Sequence, residues 1–395
     1  MRKKALLSAV TTLLLLLLGE LVLRLLGYVP PLMEETEQGH SGVSLTGYFW
    51  VADRTLGFRN RPHGRFVNFK IVGKPLVTTD PLGYRNGLGW STKPGAPVVA
   101  FIGDSTTFCA EVADDRTGPS EVARLLTGKV RARVLNAGVR GYNTVQAKRS
   151  LEQVLSRFPE TRVVVYTYAQ NDYLENLNPI VYHPARAPTI WRDASGRWVE
   201  REVDSPVAPP GESFVSAEAV RTAGRQKESP RVWLTNRLRA RSVLVDRLLA
   251  LLRKAMGESR TSRGILELSD GSLGPLAGGT AEWKSQREWA REHGAGEGLE
   301  DLLARMNETC RKRGVKFLAT EFNLGEGTGE FAEHCRRAGV ACLDLRASFP
   351  RPPLSYAART AQGYDGHYGA EGTRAFARAV APRVEAALSQ AGVGR

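Results

Sequence analysis

Four polar clusters, far apart in the chain, together hold the parts of an acyl-transfer site. Gly103-Asp104-Ser105 follows the apolar run Pro97 to Ile102, so a serine stands where a buried strand gives way to a turn. A serine hydroxyl acts as a nucleophile only beside a base, an acid that orients the base, and donors for the oxyanion. Of the six histidines, His367 alone combines a position just before the closing helical pattern with an acid, Asp365, two residues earlier. Asn171, in Ala169-Gln170-Asn171-Asp172, follows another apolar strand, and its side-chain amide can donate to a developing oxyanion. The stretch Asn136 to Asn143 contains Gly138 and Gly141, and glycine lets backbone N–H groups approach a ligand closely. Taken singly, each cluster is also an ordinary turn, since Gly, Asp, Asn and Ser are common turn formers. Their shared position at the ends of strands separates the chemical reading from the structural one.

The elements that must carry these residues alternate. Val98 to Ile102 reads as one strand, Val134 to Asn136 closes a second, and Val163 to Tyr168 is a third, β-branched as a doubly covered parallel strand should be. Between the last two, Val145, Leu151, Val154, Leu155 and Phe158 recur at helical spacing. Later come a helix over Leu299 to Arg313, strands over Lys316 to Glu321 and Val340 to Leu345, and a closing helix over Thr373 to Ala391. Such alternation predicts a parallel sheet with helices on both faces, which binds its ligands at the carboxyl ends of the strands.

Around this domain the composition changes. Residues 34–94 mix turn residues with single aromatics and predict a short β-rich lead-in. Residues 173–297 break the rhythm and read as an insertion or lid. Within it, Pro184 to Gly211 is rich in proline and arginine, and Glu258 to Gly279 in glycine and serine, so both read as loop. Trp233 to Met256 between them is a basic amphipathic pattern with Leu238, Val245, Leu248, Leu249 and Leu252 on one stripe.

Arg2-Lys3-Lys4 precedes an apolar segment from Ala5 to Leu26 that contains six consecutive leucines, Leu13 to Leu18. At ~1.5 Å per residue it is long enough to span a bilayer. No small-x-small cleavage site follows, so residues 1–4 are expected inside the cytoplasm, 5–26 as an uncleaved anchor, and the rest outside. Glu20 and Arg24, four apart near the exit end, can pair on one helical face. The formal charge of +14 is spread over the chain, with no zinc-finger spacing and no phosphate-binding glycine loop. It therefore argues for anionic lipid or polysaccharide surfaces more than for nucleic acid. Four cysteines without CxxC spacing exclude a disulfide scaffold and give no metal signature. Nothing in the pattern calls for a cofactor.

With these motifs the chain resembles the SGNH or GDSL-type hydrolases, in the bacterial branch that carries an amino-terminal membrane anchor. The resemblance runs over Val98 to Asp172 and Asp365 to Ala377, and more loosely around Leu82-Gly83-Tyr84-Arg85. The serine block matches Gly103-Asp104-Ser105, the glycine block Asn136 to Gly141, the asparagine block Asn171-Asp172, and the histidine block Asp365-Gly366-His367. It implies a three-layer α/β/α sandwich with a flavodoxin-like parallel sheet, in residues 95–172 and 298–392. It further implies Ser105 as nucleophile, His367 as general base and Asp365 as the orienting acid. The oxyanion donors would be the backbone N–H groups of Ser105 and Gly141 and the Asn171 side chain, with Gly138 a rival in the glycine role. Two departures stand out: Thr106-Thr107-Phe108-Cys109 follows the serine where relatives carry a glycine near Cys109, and the acid precedes the histidine by two residues rather than three.

The expectation is a membrane-anchored, extracytoplasmic serine esterase that removes O-acyl groups from a carbohydrate or lipid. A polysaccharide O-acetyltransferase would use the same residues with a sugar hydroxyl as acceptor. A catalytically silent polysaccharide- or lipid-binding protein is the alternative of another class, and the intact set Ser105, Asn171, Asp365 and His367 argues against it.

Overall fold

The computed structural model describes residues 2–25, 43–44, 50–67, 75–92, 95–177, 187–203, 265–267, 273–275, 288–321, 329–343, 345 and 367–393. The apolar amino-terminal segment is helix α1 (Arg2–Leu25), with Leu14 to Leu18 and Leu21 exposed. Among the described residues no helix is long and apolar enough to cross a membrane, so the anchor expected at 5–26 rests on composition alone.

The lead-in is β-rich, as its turn chemistry predicts. It comprises β1 (Val43–Ser44), β2 (Trp50–Asp53), β3 (Gly57–Asn60), β4 (Arg65–Val67) and β5 (Leu76–Thr78). β2 and β3 pair as an antiparallel hairpin, and β4 lies antiparallel between β1 and β5. Their apolar side chains, Trp50, Leu56, Phe58, Phe66 and Val77, cluster with Phe108, Val139 and Tyr142. The lead-in therefore packs against the segments that leave the carboxyl ends of two main-sheet strands.

Those strands belong to the alternating part of the chain: β6 (Val98–Gly103), α2 (Ser105–Phe108), α3 (Gly118–Leu126), β7 (Arg133–Asn136), α4 (Thr144–Arg157), β8 (Thr161–Tyr168) and α5 (Asp172–Glu175). There follow β9 (Ala187–Arg192), β10 (Trp198–Val203), β11 (Ile265–Glu267), β12 (Leu273–Pro275), α6 (Ala295–Lys312), β13 (Lys316–Glu321), α7 (Glu330–Arg337), β14 (Cys342–Leu343) and α8 (Ala370–Gln390). Five of the strands form a parallel sheet in the order β14-β13-β8-β6-β7. The first of them, β6, lies between the second and the third, so the chain winds away from it in both directions. In such doubly wound sheets a crevice opens where the winding reverses, outside the carboxyl ends of the strands. Here that point lies between β6 and β8, where Gly103 stands opposite Thr167.

Both faces of the sheet are covered, which is why β6 is buried at every position. Val98, Ala100, Ile102, Val164 and Tyr166 point to one face and pack with Val145 and Leu151 of α4 and Leu299, Leu302 and Met306 of α6. Val99, Phe101, Val163 and Val165 point to the other and meet Val122 of α3 and Phe376, Val380 and Val384 of α8. The strict alternation follows from the two-residue period of a strand.

Several expectations need correction. Residues 187–203 fall in the stretch read as loop, yet they form the hairpin β9–β10 with six paired positions. Asp193 closes its turn by accepting from the N–H groups of Ser195 and Arg197. Pro188 sits near an end of this two-stranded ribbon, where proline is tolerated. Lys148 and Arg149 of α4 tie the hairpin down through ion pairs with Glu200 and Glu202. Tyr173, Leu174, Leu177, Ile190 and Ala295, from the stretch read as an insertion, are buried in the main core. Short strands β11 and β12 pair inside the glycine- and serine-rich stretch. Of the expected strand over Val340 to Leu345, the described residues show Cys342–Leu343 as strand. The amphipathic pattern Trp233 to Met256 lies outside the described residues.

Candidate active site

A core strand ends on small polar residues here because two elements converge on it. A Cβ at Gly103 would lie 2.4 Å from Thr107 Oγ1 and 2.6 Å from the Thr167 carbonyl oxygen. Asp104, buried at 1% exposure, caps α2 by accepting from the Thr106 N–H at 2.8 Å and the Thr106 hydroxyl at 2.7 Å. An Asp at this position satisfies a backbone donor that no helical carbonyl can reach. Its second oxygen lies 3.2 Å from Ser105 Oγ. The nearer neighbour of that hydroxyl is His367 Nε2, at 2.8 Å. A neutral imidazole unprotonated at Nε2 accepts the serine proton in this geometry.

His367 arrives from the far end of the chain, and its neighbour positions it. Tyr368 is buried against Phe376 of α8 with ring centroids 6.4 Å apart, and Phe376 packs on Phe101 of β6 at the same separation. Phe101 lies only four residues before Ser105, so one apolar stack links the neighbour of His367 to the strand that ends at Ser105. Asp365, the expected orienting acid, lies outside the described residues.

The loop after β7 is fixed by hydrogen bonds. Asn136 donates from Nδ2 to the Thr107 carbonyl at 2.8 Å and accepts from the Gly138 N–H at 3.0 Å. The Val139 N–H donates to the Gly103 carbonyl at 3.1 Å. A Cβ at Gly138 would lie 2.5 Å from the Phe108 nitrogen, a backbone atom with no room to move aside. From the lead-in, Asn60 Nδ2 donates to the Gly138 carbonyl at 3.2 Å, and the Tyr142 hydroxyl donates to the Phe58 carbonyl at 2.6 Å. The Gly138 N–H is thus already engaged, whereas the Ser105 and Gly141 N–H groups donate to no acceptor among the described residues.

Asn171 opens α5, just beyond the end of β8, and donates from Nδ2 to Glu175 Oε1 at 2.9 Å. Asp172 points into the core, where its Oδ2 accepts from the Tyr166 hydroxyl at 2.7 Å. Burial pushes the Asp172 carboxyl well above the ordinary range, with Asp104 and Glu175 adding to the shift. Burial likewise raises Glu175 to about 8, against the opposing hydrogen bond from Asn171 and with a further push from Asp104. Cys109, the residue after α2 and four beyond Ser105, has its thiol pushed up to about 12 by burial, and thiolate is the reactive form.

Two contributors have no role assigned by the motifs. Arg85, fully buried, pairs with Asp114 at 2.8 Å, donates to the Val112 carbonyl at 2.8 Å and lies over the Phe108 ring, clamping the end of α2. Glu175 carried one usable signal: its spacing of four from Asn171, which brings two side chains together on a helical turn. Among the described residues no cluster of three or more His, Cys, Asp or Glu side chains could hold a metal ion. A scan against protein-family models finds no match for the chain, and no curated protein matches it.

Proposed function

We propose that the protein is a serine esterase of the SGNH type that hydrolyses O-acyl esters of a carbohydrate or lipid through an acyl-enzyme. The single observation that carries this reading is the 2.8 Å contact between Ser105 Oγ and His367 Nε2, made at the sheet's winding reversal. His367 Nε2 takes the hydroxyl proton while Ser105 Oγ bonds to the ester carbonyl carbon. The oxyanion is received by the N–H groups of Ser105 and Gly141 and by Asn171 Nδ2. Gly141 fits this role better than Gly138, whose N–H is spent on Asn136. As the tetrahedral species collapses, the imidazolium returns its proton to the departing alcohol, leaving the acyl group on Ser105. Water then repeats the sequence, with His367 as base, and releases the carboxylic acid. Asp365, two residues before the base, orients the imidazole and stabilises its protonated form.

The same proposal places residues 5–26 in the cytoplasmic membrane as a single span, with the catalytic domain facing the periplasm or cell exterior. The support is compositional: a basic end, an apolar run, and no cleavage site. The excess of positive charge suits a substrate on an anionic surface.

The test is turnover of a short-chain activated ester, p-nitrophenyl acetate, by the full chain in detergent. The parent turns over with release of free acetate, and Ser105→Ala and His367→Ala do not. A Ser105→Ala protein as active as the parent would sink the reading. Acetate delivered to an added oligosaccharide instead of water would reassign the protein as a transferase, and a folded parent that binds glycans without turnover would favour the silent binder.

A further inference from the structure

We propose that Glu175 is a positioning residue that fixes the Asn171 amide with its nitrogen toward the reacting oxygen, an inference that rests on the esterase reading above. A side-chain amide has a donor end and an acceptor end of nearly the same shape. Turned the wrong way, Asn171 would present its carbonyl to the oxyanion and repel it. The Nδ2···Oε1 contact of 2.9 Å removes that choice. In this arrangement Oε1 accepts from the NH2 end, whether the carboxyl is ionised or carries its proton on Oε2. One N–H of Asn171 is then committed to Glu175, and the other remains for the substrate.

Glu175 can perform this task because it is itself held. It is buried at 3% exposure, and its own carbonyl accepts from Asn143 Nδ2 at 3.0 Å. The next residue, Asn176, accepts from the Thr144 N–H at 2.8 Å and donates to the Thr144 hydroxyl at 3.0 Å. Asn143 is also the cap of α4, bonded reciprocally with Gln146. The turn carrying Asn171 and Glu175 is therefore bolted to the start of a 14-residue helix in the wall of the main core. The carboxyl group does not need to be ionised to act as an acceptor. Burial and the nearby Asp104 carboxylate hold its proton to about pH 8, which spares the oxyanion a full negative charge at neutral pH.

Steady-state kinetics of the full chain on p-nitrophenyl acetate tests this, with thermal melts confirming that each variant is folded. Glu175→Leu fills the same buried space but accepts no hydrogen bond. Its kcat falls about 10- to 100-fold, approaching the loss expected for a missing oxyanion donor, while KM changes little. Glu175→Gln, whose carbonyl can accept the same N–H, recovers most of kcat. In the Asn171→Ala background, Glu175→Leu adds nothing further, because there is no amide left to orient. Unchanged kcat in folded Glu175→Leu, or losses that multiply in the double variant, would overturn the inference. So would a folded Glu175→Gln as slow as Asn171→Ala. The two readings fail separately: an active Ser105→Ala removes the esterase, whereas an inactive Ser105→Ala with a fully active Glu175→Leu removes only the role of Glu175.

Discussion

Ser105 and His367 meet across 262 residues of chain, and the two sides of that contact are built differently. On the serine side, Asp104, Asn136, Asn143, Asp172 and Asn176 are all buried and joined by directional hydrogen bonds. On the histidine side, ring contacts run from Tyr368 through Phe376 to Phe101. Directional contacts fix angles as well as distances, and removing one partner leaves another group buried without a mate. An apolar stack fixes volume and tolerates exchange of similar shapes. The proposed oxyanion donors thus sit on the side with the directional contacts, and Tyr368, beside the proposed base, packs against Phe376.

This contrast sets an order of expected effects. The largest belongs to the contact itself. Ser105→Ala and His367→Ala each lose ~10⁴-fold or more in kcat, with melting temperatures near that of the parent. Asn171→Ala, one step back on the polar side, slows kcat by roughly 10²- to 10³-fold in a folded protein; undiminished activity would remove Asn171 from the oxyanion hole.

Stability sharpens the comparison. Gly138→Ala drives a methyl against the backbone of α2 and should cost ~1–3 kcal/mol, as overpacking does, together with a fall in kcat from the displaced nucleophile. Phe376→Leu on the apolar side keeps most of the volume and should cost under ~1.5 kcal/mol, with kcat nearly retained. Chemical denaturation and kinetics on both variants decide the matter. A greater loss of kcat in Phe376→Leu than in Gly138→Ala would reverse the assignment of rigid and tolerant sides.

The smallest effect is a pH dependence. The Glu175 carboxyl is raised from 4.5 to about 8 in the folded protein, so between those values the native state holds a proton that the unfolded chain has lost. The corresponding stability is present in full below pH 4.5, and it is lost as the pH rises through about 8. Asp172, also raised, acts in the same direction. Melting temperatures should therefore fall toward alkaline pH, and less steeply in Glu175→Gln, which has no proton to lose there. An equal slope in that variant would remove Glu175 from the account.

Much of this was legible in the chain before its fold. The strands of the main sheet end in polar residues after unbroken apolar runs, so Ser105 and Asn171 announce their positions at a strand rim. The hairpin β9–β10 was hidden because Pro184, Pro188 and several arginines mask its alternation, and its burial of Ile190 and its ion pairs with α4 are contacts that only the fold creates. The choice between Gly138 and Gly141 was equally closed to spacing, since it turns on which N–H is already bonded. Arg85 and Glu175 act through partners supplied by tertiary contact, or by a helical turn that the loop-like context of Asn171-Asp172 did not suggest.

The most direct test of the central claim is labelling of the full chain, in detergent, with a fluorophosphonate, followed by intact mass and peptide mapping. The account predicts one adduct per chain on Ser105, formed by the parent and not by His367→Ala. A folded parent that takes no label, or takes it at another residue, would contradict an activated serine at the end of β6.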